Sequence, residues 1–191
     1  MWVCAAVAGI ALAVAPAHAE PVPAPAPATA TTTESGKFSF SQYLPADRIA
    51  EHAAAAADAV TDLVDSGLSL LGVRYRFGGN TPQSGFDCSG FVRHVFSDAL
   101  GVLLPRTAVE MARVGETVPK EELQPGDLVF FNTLRRSFSH VGIYLGDNKF
   151  MHANSRGGGV RVDDMTGRYW AKRFNGARRI EVDDTSGMAL R

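Results

Sequence analysis

The stretch FDCSGFVRHVFSDAL, residues 86–100, carries the strongest structural signal in this chain. Its apolar residues recur every three or four positions, which predicts an amphipathic helix over 89–100. Asp87 has the short acceptor side chain that a helix N-cap prefers. Cys88 would then stand in the first helical turn, where unpaired N–H groups and the helix dipole favour thiolate over thiol. The stretch therefore predicts a reactive cysteine at a helix start, with a buried structural cysteine as the alternative.

Cysteine usage singles out the same position. The chain has two cysteines, and Cys4 lies in a segment, residues 1–19, that is typical of a secretory leader. This segment is mostly apolar and ends in Ala17-His18-Ala19, a small-residue cleavage pattern. Cleavage would leave Cys88 as the single thiol of an exported protein. Because Cys4 precedes the apolar run and follows Trp2-Val3 rather than a small residue, we expect export to the periplasm or the medium without a lipid anchor.

The rest of the chain divides by composition. Residues 20–36 are rich in Pro, Ala and Thr and predict a linker, because such a segment buries too little apolar surface to fold. Residues 37–62 predict a helical segment, and residues 63–185 the main domain. A net charge of −1 argues against nucleic acid as the partner. We also expect no membrane-spanning helix, since no segment after the leader has the roughly 18 consecutive apolar residues that one needs.

Helix signals come before strand signals along the main domain. Apolar spacing predicts one or two helices over 45–71, with a break near Gly67 and a C-cap at Gly72. After Pro105 the pattern changes to short apolar runs separated by Gly, Pro or Asn, as in an antiparallel sheet. The expected strands cover 127–131, 140–145, 148–153, 160–162 and 177–182. This order predicts an α+β domain.

A cysteine nucleophile needs a base, and two histidines lie in consecutive predicted strands. His140 opens the first strand and His152 lies in the second, with Gly146-Asp147-Asn148 between the strands. Side chains alternate along a strand, so a plain two-residue loop would put the imidazoles on opposite faces. An odd loop or a bulge would put them on one face, one diagonal apart. His140 could then serve as base to Cys88 while His152 fixes its tautomer; otherwise both are ordinary strand histidines.

Other polar residues predict no second site. His52 and His94 are expected on solvated helix faces, and Asp163-Asp164 and Asp183-Asp184 in a turn and the tail. The basic segment 168–179 is expected on a charged surface. The chain has no His-Glu-x-x-His, no paired cysteine motif and no close group of histidine with carboxylate, so we expect no metal site.

Several ordered motifs resemble those of the NlpC-type cell-wall cysteine peptidase family, over about residues 63–182. They are GVRYRFGG (72–79), FDCSGFV (86–92), LPRT (104–107), LQPGDLVFF (123–131), SHVGIYL (139–145) and FMHA (150–153). The segment YWAKRFNGARR (169–179) is similar to the murein endopeptidase branch of that family. One block could match by chance, but six blocks in the same order carry a family signal.

The resemblance implies a papain-like α+β fold, with the cysteine helix packed on a central antiparallel sheet, and no cofactor. It implies Cys88 as the nucleophile, His140 as the base and His152 as the residue that orients it. The positions implied to contact substrate are Tyr75, Asp87, Ser89 and Arg106.

The implied activity is hydrolysis of peptidoglycan stem peptides by a monomer. In the murein endopeptidase branch the bond is the D-alanyl to meso-diaminopimelate cross-link, which we favour; in other relatives it is D-glutamyl to diaminopimelate within one stem. An amidase or acyltransferase is disfavoured, because in the lipid-acting branch the histidine precedes the cysteine. A wall-binding module without catalysis is disfavoured, because all three catalytic positions hold competent residues.

Overall fold

The computed structural model describes residues 46–133 and 136–181. The expected leader and linker, residues 37–45 of the helical segment and the end of the last expected strand lie outside the described residues. The helices are α1 (Ala46–Ser69), α2 (Cys88–Leu100), α3 (Ala108–Met111) and α4 (Arg168–Ala171), with a 3₁₀ turn at Lys120–Glu122. The strands are β1 (Asn80–Thr81), β2 (Gly85–Phe86), β3 (Glu116–Val118), β4 (Leu128–Phe131), β5 (His140–Gly146), β6 (Lys149–Asn154), β7 (Gly159–Asp164) and β8 (Phe174–Arg179).

One antiparallel sheet of six strands carries the domain, in the order β3-β8-β4-β5-β6-β7. Strands β1 and β2 pair in a separate small hairpin. Helix α1 packs on α2, and α2 packs on β5 and β6. The five expected strands are present within one to three residues of their predicted bounds. The prediction of an α+β domain with a helix on an antiparallel sheet is confirmed.

Helix α2 has the caps that its sequence predicts. The Asp87 side chain accepts a hydrogen bond from the backbone N–H of Gly90, and Gly101 ends the helix with φ +67°. Both ends therefore satisfy backbone groups that a helix leaves unpaired. The apolar stripe of α2, which includes Phe91 and Val95, is fully buried. Capping and stripe together fix where the helix begins, which is Cys88.

Helix α1 is continuous, so the expected break near Gly67 is wrong. A Cβ at this position would collide with the thioether of Met151, so glycine permits close packing of α1 on the sheet rather than ending the helix. The chain leaves the helix at Ser69, and Gly72 follows with φ +83°. The expected boundary between residues 62 and 63 falls inside α1. No described helix is long and apolar enough to cross a membrane.

The sheet buries apolar side chains on both faces. In β4, Leu128 and Phe130 belong to a core that contains residues of α1 and α2, whereas Val129 and Phe131 belong to a second core with Trp170. All four are fully buried. Burial on two faces explains why this strand is continuously apolar instead of alternating with polar residues.

Strand β8 is the element that the sequence predicted least well. It begins at Phe174, three residues before the expected start, and lies between β3, which was not predicted, and β4. Its partners are far away in sequence, and Arg179 forms an ion pair with Asp127 at 2.8 Å. Local apolar spacing cannot reveal such a position, because it depends on contacts between distant segments.

Candidate active site

Cys88 is the first residue of α2, and its thiol is free and partly exposed. A glycine-rich loop packs against this helix start: a Cβ on Gly90 would collide with the carbonyl oxygen of Gly79. The backbone N–H of Asp87 also donates to that carbonyl. The helix start and the loop are therefore held together by close backbone contact beside the thiol.

The protonation of Cys88 differs from the expectation. Burial raises the pKa of the thiol, and the Asp87 carboxylate acts in the same direction, while the backbone at Val141, Ser89 and Cys88 opposes the rise. The helix start alone favoured a thiolate, but burial and a neighbouring anion outweigh it. The site therefore holds a neutral thiol at neutral pH. This thiol lies against the backbone of Val141, the residue after His140.

The hairpin of β5 and β6 contains the bulge that paired histidines require. Its pairs are Ile143 with Met151, Tyr144 with Phe150 and Gly146 with Lys149, and the register shifts between Tyr144 and Gly146. The shift leaves Leu145 as the extra residue of a bulge. Asp147 and Asn148 form the loop, with φ of 49° and 59° as in a type I′ turn. Two loop residues and one bulge together put both imidazoles on one face.

His140 and His152 are hydrogen-bonded to each other, with Nε2 and Nδ1 2.8 Å apart. His152 is fully buried, and Trp170 stacks on His140 with ring centroids 5.4 Å apart. Burial lowers the pKa of His140 to about 3; His152 acts in the same direction and Asp163 opposes. Burial also lowers the pKa of His152. Both imidazoles are therefore neutral at pH 7.

Asp163 extends this pair, and its assignment to a turn was wrong. It lies in β7, where Arg161 pairs with His152 and Asp163 with Phe150. Asp163 is thus the diagonal neighbour of His152, and its Oδ2 lies 3.1 Å from His152 Nε2. Alternation along residues 160–163 is the signal that could have found it, once β7 is paired with β6.

Two further side chains hold the Asp163 carboxylate. Arg161 donates from Nε to Oδ1 at 2.8 Å, and Trp170 donates from Nε1 to Oδ2 at 3.0 Å. Burial alone would raise the pKa of Asp163, but the hydrogen bonds from His152 and Arg161 lower it to about 2. Asp163, His152 and His140 form a hydrogen-bonded row, which we call the histidine row. Among the described residues it stops at His140 and includes no hydrogen bond to the Cys88 thiol.

Asp87 is the centre of a second cluster on the other side of Cys88. Its Oδ1 accepts from Gly90 N–H at 2.7 Å, and its Oδ2 from Gly78 N–H at 3.0 Å. Arg106 binds both carboxylate oxygens, at 3.1 and 2.6 Å, and also donates to Ser89 Oγ at 2.9 Å. The Asp87 side chain is 12% exposed and that of Arg106 is 37% exposed. Asp87 thus joins the glycine loop, the helix start and Arg106, and only the arginine extends to solvent.

Tyr75 completes the surroundings of the thiol. It is half-buried and forms a backbone bridge with Phe86. Burial raises the pKa of its hydroxyl; charges on Cys88 and Asp87 act in the same direction, and Arg106 opposes. These interactions bring Tyr75 together with the other residues expected to contact substrate.

The other two described histidines lie elsewhere. His52 is exposed on α1, as expected, whereas His94 is half-buried with its ring 5.2 Å from that of Phe86. In residues 46–133 and 136–181, no group of three or more His, Cys, Asp or Glu is arranged to hold a metal ion.

This chain is similar to proteins whose names state an activity. It is 43% identical over 140 residues to gamma-DL-glutamyl hydrolase of Bacillus subtilis, a match covering 73% of this chain and 33% of that protein. It is 43% identical over 123 residues to murein DD-endopeptidase MepS/murein LD-carboxypeptidase of Escherichia coli, covering 64% of each. The matches thus span less than two thirds of the length of either relative.

Solved structures agree with the fold. An NlpC/P60 family protein from Bacillus cereus superposes with a TM-score of 0.59 at 34% identity, over 63% of this chain and 39% of that one. The peptidoglycan hydrolase RipB of Mycobacterium tuberculosis superposes with a TM-score of 0.57 at 29% identity, over 72% of this chain and 69% of that one. The expected papain-like α+β fold is therefore confirmed.

The family model that matches the chain is NlpC/P60, over residues 72–179. These residues run from the loop before Cys88 to the end of β8, and so include every side chain of the two clusters around the thiol. They make up more than half of the sequence. This chain belongs to the NlpC/P60 family.

Proposed function

We propose that this protein is a cysteine peptidase that hydrolyses amide bonds in the stem peptides of peptidoglycan. Cys88 is the nucleophile, His140 the base and His152 the residue that orients His140. The observation that carries the proposal is the hydrogen bond between two buried, neutral histidines on strands next to a cysteine at a helix start, whose thiol lies against the backbone of Val141. A neutral imidazole has a free lone pair and can take a proton from a thiol.

The first half of the reaction forms a thioester. The Cys88 sulfur attacks the amide carbonyl carbon while the thiol proton moves to His140, and the carbonyl oxygen becomes an oxyanion. His140 then gives that proton to the leaving amine as the carbon–nitrogen bond breaks. Because burial raises the pKa of the thiol, proton transfer accompanies attack rather than preceding it. The hydrogen bond between thiol and imidazole forms when substrate closes the site, as is common for catalytic contacts.

Backbone N–H groups at the start of α2 stabilise the oxyanion in this mechanism. Gly90 N–H already donates to the Asp87 side chain, and Phe91 N–H to the Asp87 carbonyl. The N–H groups of Cys88 and Ser89 lie nearest the sulfur and are the donors that we assign to the oxyanion. In the second half, water attacks the thioester carbon, His140 takes its proton and returns it to the Cys88 sulfur, and the product leaves as a carboxylic acid.

Four residues around the thiol are proposed to form the substrate-binding site, two of them by direct contact with the stem peptide. Arg106 is the best placed for a substrate carboxylate, since its guanidinium extends to solvent while Asp87 holds it at two points. Tyr75 borders the thiol and supplies a hydroxyl. Asp87 and Ser89 act on substrate through Arg106, because their oxygens are already hydrogen-bonded.

The bond that we favour is the cross-link from D-alanine to meso-diaminopimelate. The E. coli relative is named a murein DD-endopeptidase, and the C-terminal motif of this chain is similar to that branch. Digestion of purified cross-linked muropeptide dimers should give monomers whose masses add up to the dimer plus one water. Dimers that stay intact while wall material is degraded would contradict this choice.

The second candidate is the D-glutamyl to diaminopimelate bond within one stem. It is favoured by the B. subtilis relative, which is named gamma-DL-glutamyl hydrolase and is equally identical, at 43%. Digestion of purified uncross-linked muropeptide monomers distinguishes the two, because this cleavage shortens their stems to dipeptides, whereas cleavage of the cross-link leaves them intact.

The role of Cys88 can be tested by substitution. Cys88→Ala should abolish lysis of purified cell wall, because no other side chain supplies the nucleophile. Ser97→Ala, at an exposed position of the same helix, is the matched control and should lyse cell wall at the wild-type rate. Lysis by the Cys88→Ala variant at the wild-type rate would refute the mechanism.

The site of action in this proposal is the periplasm or the medium, reached by cleavage of residues 1–19. The support is the apolar sequence that ends in Ala17-His18-Ala19. Expression of the full chain in a Gram-negative host should give a mature protein whose mass corresponds to a start at Glu20. An uncleaved cytoplasmic product would contradict export by this segment.

A further inference from the structure

We propose that Asp163 is a positioning residue that fixes the tautomers of both histidines and so leaves the lone pair of His140 Nδ1 available to the Cys88 thiol. The inference rests on the proposed function, because it assigns His140 the role of base. It begins from the strand pairing of β6 with β7, which places Asp163 diagonally beside His152 on one sheet face. The contact is direct, 3.1 Å between Oδ2 and Nε2.

The direction of the hydrogen bonds follows from charge. An ionised carboxylate has no proton to donate, so His152 must carry a proton on Nε2 and donate it to Asp163. Since His152 is neutral, its Nδ1 then has only a lone pair and accepts from His140. His140 must therefore carry its proton on Nε2. One negative charge at the end of the histidine row thus determines both tautomers.

Without that charge the row has two equivalent states. The hydrogen bond between His140 Nε2 and His152 Nδ1 can form with the proton on either nitrogen. In the second state His140 Nε2 accepts, so the neutral ring carries its proton on Nδ1 and cannot take one from a thiol there. Burial excludes water that could compensate, since the His152 side chain is fully buried. Asp163 removes this state, as the buried aspartate of a serine protease triad does for its histidine.

The surroundings of Asp163 fit a fixed charge. Arg161 pairs with Oδ1, and the Trp170 indole donates to Oδ2, the same oxygen that faces His152. Trp170 also stacks on His140. One tryptophan therefore contacts both ends of the histidine row and holds the carboxylate and the base at a fixed spacing. When His140 takes the thiol proton, Asp163 also stabilises the resulting cation.

The test reads the tautomers directly. The full chain is labelled with ¹⁵N-histidine, and two-bond ¹H–¹⁵N correlation spectra at pH 7 distinguish protonation on Nδ1 from protonation on Nε2. Signals are assigned by their loss in His140→Gln and His152→Gln. In the wild type we expect protons on Nε2 of both residues. A wild-type His152 with its proton on Nδ1 overturns the inference without need of any further variant.

Asp163→Ala then removes the acceptor at the end of the row. His152 has no carboxylate to receive a proton from Nε2, so both histidines can carry their protons on Nδ1. We expect Nδ1 protonation of both residues to appear in the spectra, and a fall in kcat of at least about a hundredfold on a muropeptide dimer with KM little changed. Unchanged tautomers in a folded Asp163→Ala protein refute the proposal.

Asp164→Ala is the matched control. Asp164 is the next residue, but its carboxylate accepts from Thr166 and lies near Lys149. It should leave the tautomers and kcat unchanged. If the wild type cleaves no muropeptide although the tautomers follow Asp163, the proposed function fails and the tautomer assignment stands. If the wild type cleaves muropeptides but the tautomers do not change when Asp163 is replaced, the tautomer assignment is wrong and the proposed function stands.

Discussion

Asp87 and Asp163 each bind an arginine close to the site, yet they fix different things. Asp87 accepts from the backbone of Gly78 and Gly90, so its charge holds chain segments in place. Asp163 accepts from an imidazole and an indole, so its charge holds protons in place. An acid–arginine pair therefore has no fixed role. The third partner decides whether removal lowers the free energy of unfolding or the rate of catalysis.

The largest expected effect is on the free energy of unfolding. Asp87→Ala should lower the free energy of unfolding by about 3 kcal/mol, because it removes the α2 N-cap and leaves a half-buried Arg106 without its partner. Urea denaturation measures it. Asp62→Ala on the exposed face of α1 should change little. If Asp163→Ala costs as much stability as Asp87→Ala, the division of roles is wrong.

The buried His140 should make the free energy of unfolding depend on pH. His140 has a folded pKa of about 3 and an unfolded pKa near 6.5, so the unfolded chain binds more protons between these values. Stability is complete above pH 6.5 and falls as the pH drops, by about 2 kcal/mol between pH 7 and 5 for this group. The loss expected from Asp163 begins only below its unfolded pKa of 3.8 and continues toward 2.

The measurement is urea denaturation of the wild type and of His140→Gln at pH 7, 6 and 5. The difference in the free energy of unfolding between the wild type and His140→Gln should narrow as the pH falls. The variant lacks the imidazole that takes up a proton only in the unfolded chain. A constant gap would mean that His140 is not neutral in the folded protein.

Gly142→Ala disturbs the histidine row without touching a charge. A Cβ at Gly142 would lie 2.7 Å from the carbonyl oxygen of Met151 and 3.2 Å from His152 Cβ. The strands must separate there, so we expect a loss of about 1.5 kcal/mol in stability and a lower kcat. Gly167→Ala, where φ is −52°, is the control and should retain wild-type kcat. Wild-type kcat in Gly142→Ala would show that catalysis tolerates a shifted histidine pair.

The smallest effect is expected from Arg161→Gln. The Arg161 side chain is 46% exposed, so solvent screens its pair with Asp163, and the loss of stability should be about 0.5 kcal/mol. We expect kcat to fall only a few-fold, because His152 and Trp170 still hold the carboxylate. A fall as large as that of Asp163→Ala would mean that the arginine, and not the carboxylate, fixes the row.

Prediction from sequence succeeded where the cause is local. The start of α2 follows from a cap and an apolar stripe within 86–100, and the shared face of His140 and His152 follows from alternation plus one bulge. Asp163 was missed because its role depends on the register of β7 against β6. The connection between these strands, which contains Gly157 and Gly158, has no apolar alternation from which that register could be predicted. The thiol was expected to be ionised because the sequence reveals the helix start but not the partial burial that raises the pKa of Cys88.

The position of β8 affects how the chain folds during its synthesis. Strand β8, which follows the other described strands in sequence, lies between β3 and β4, so residues up to 173 cannot complete the sheet. Contacts between such distant segments form late in folding. During synthesis the sheet stays incomplete until β8 emerges from the ribosome, so the topology delays assembly of the sheet that carries the histidine row.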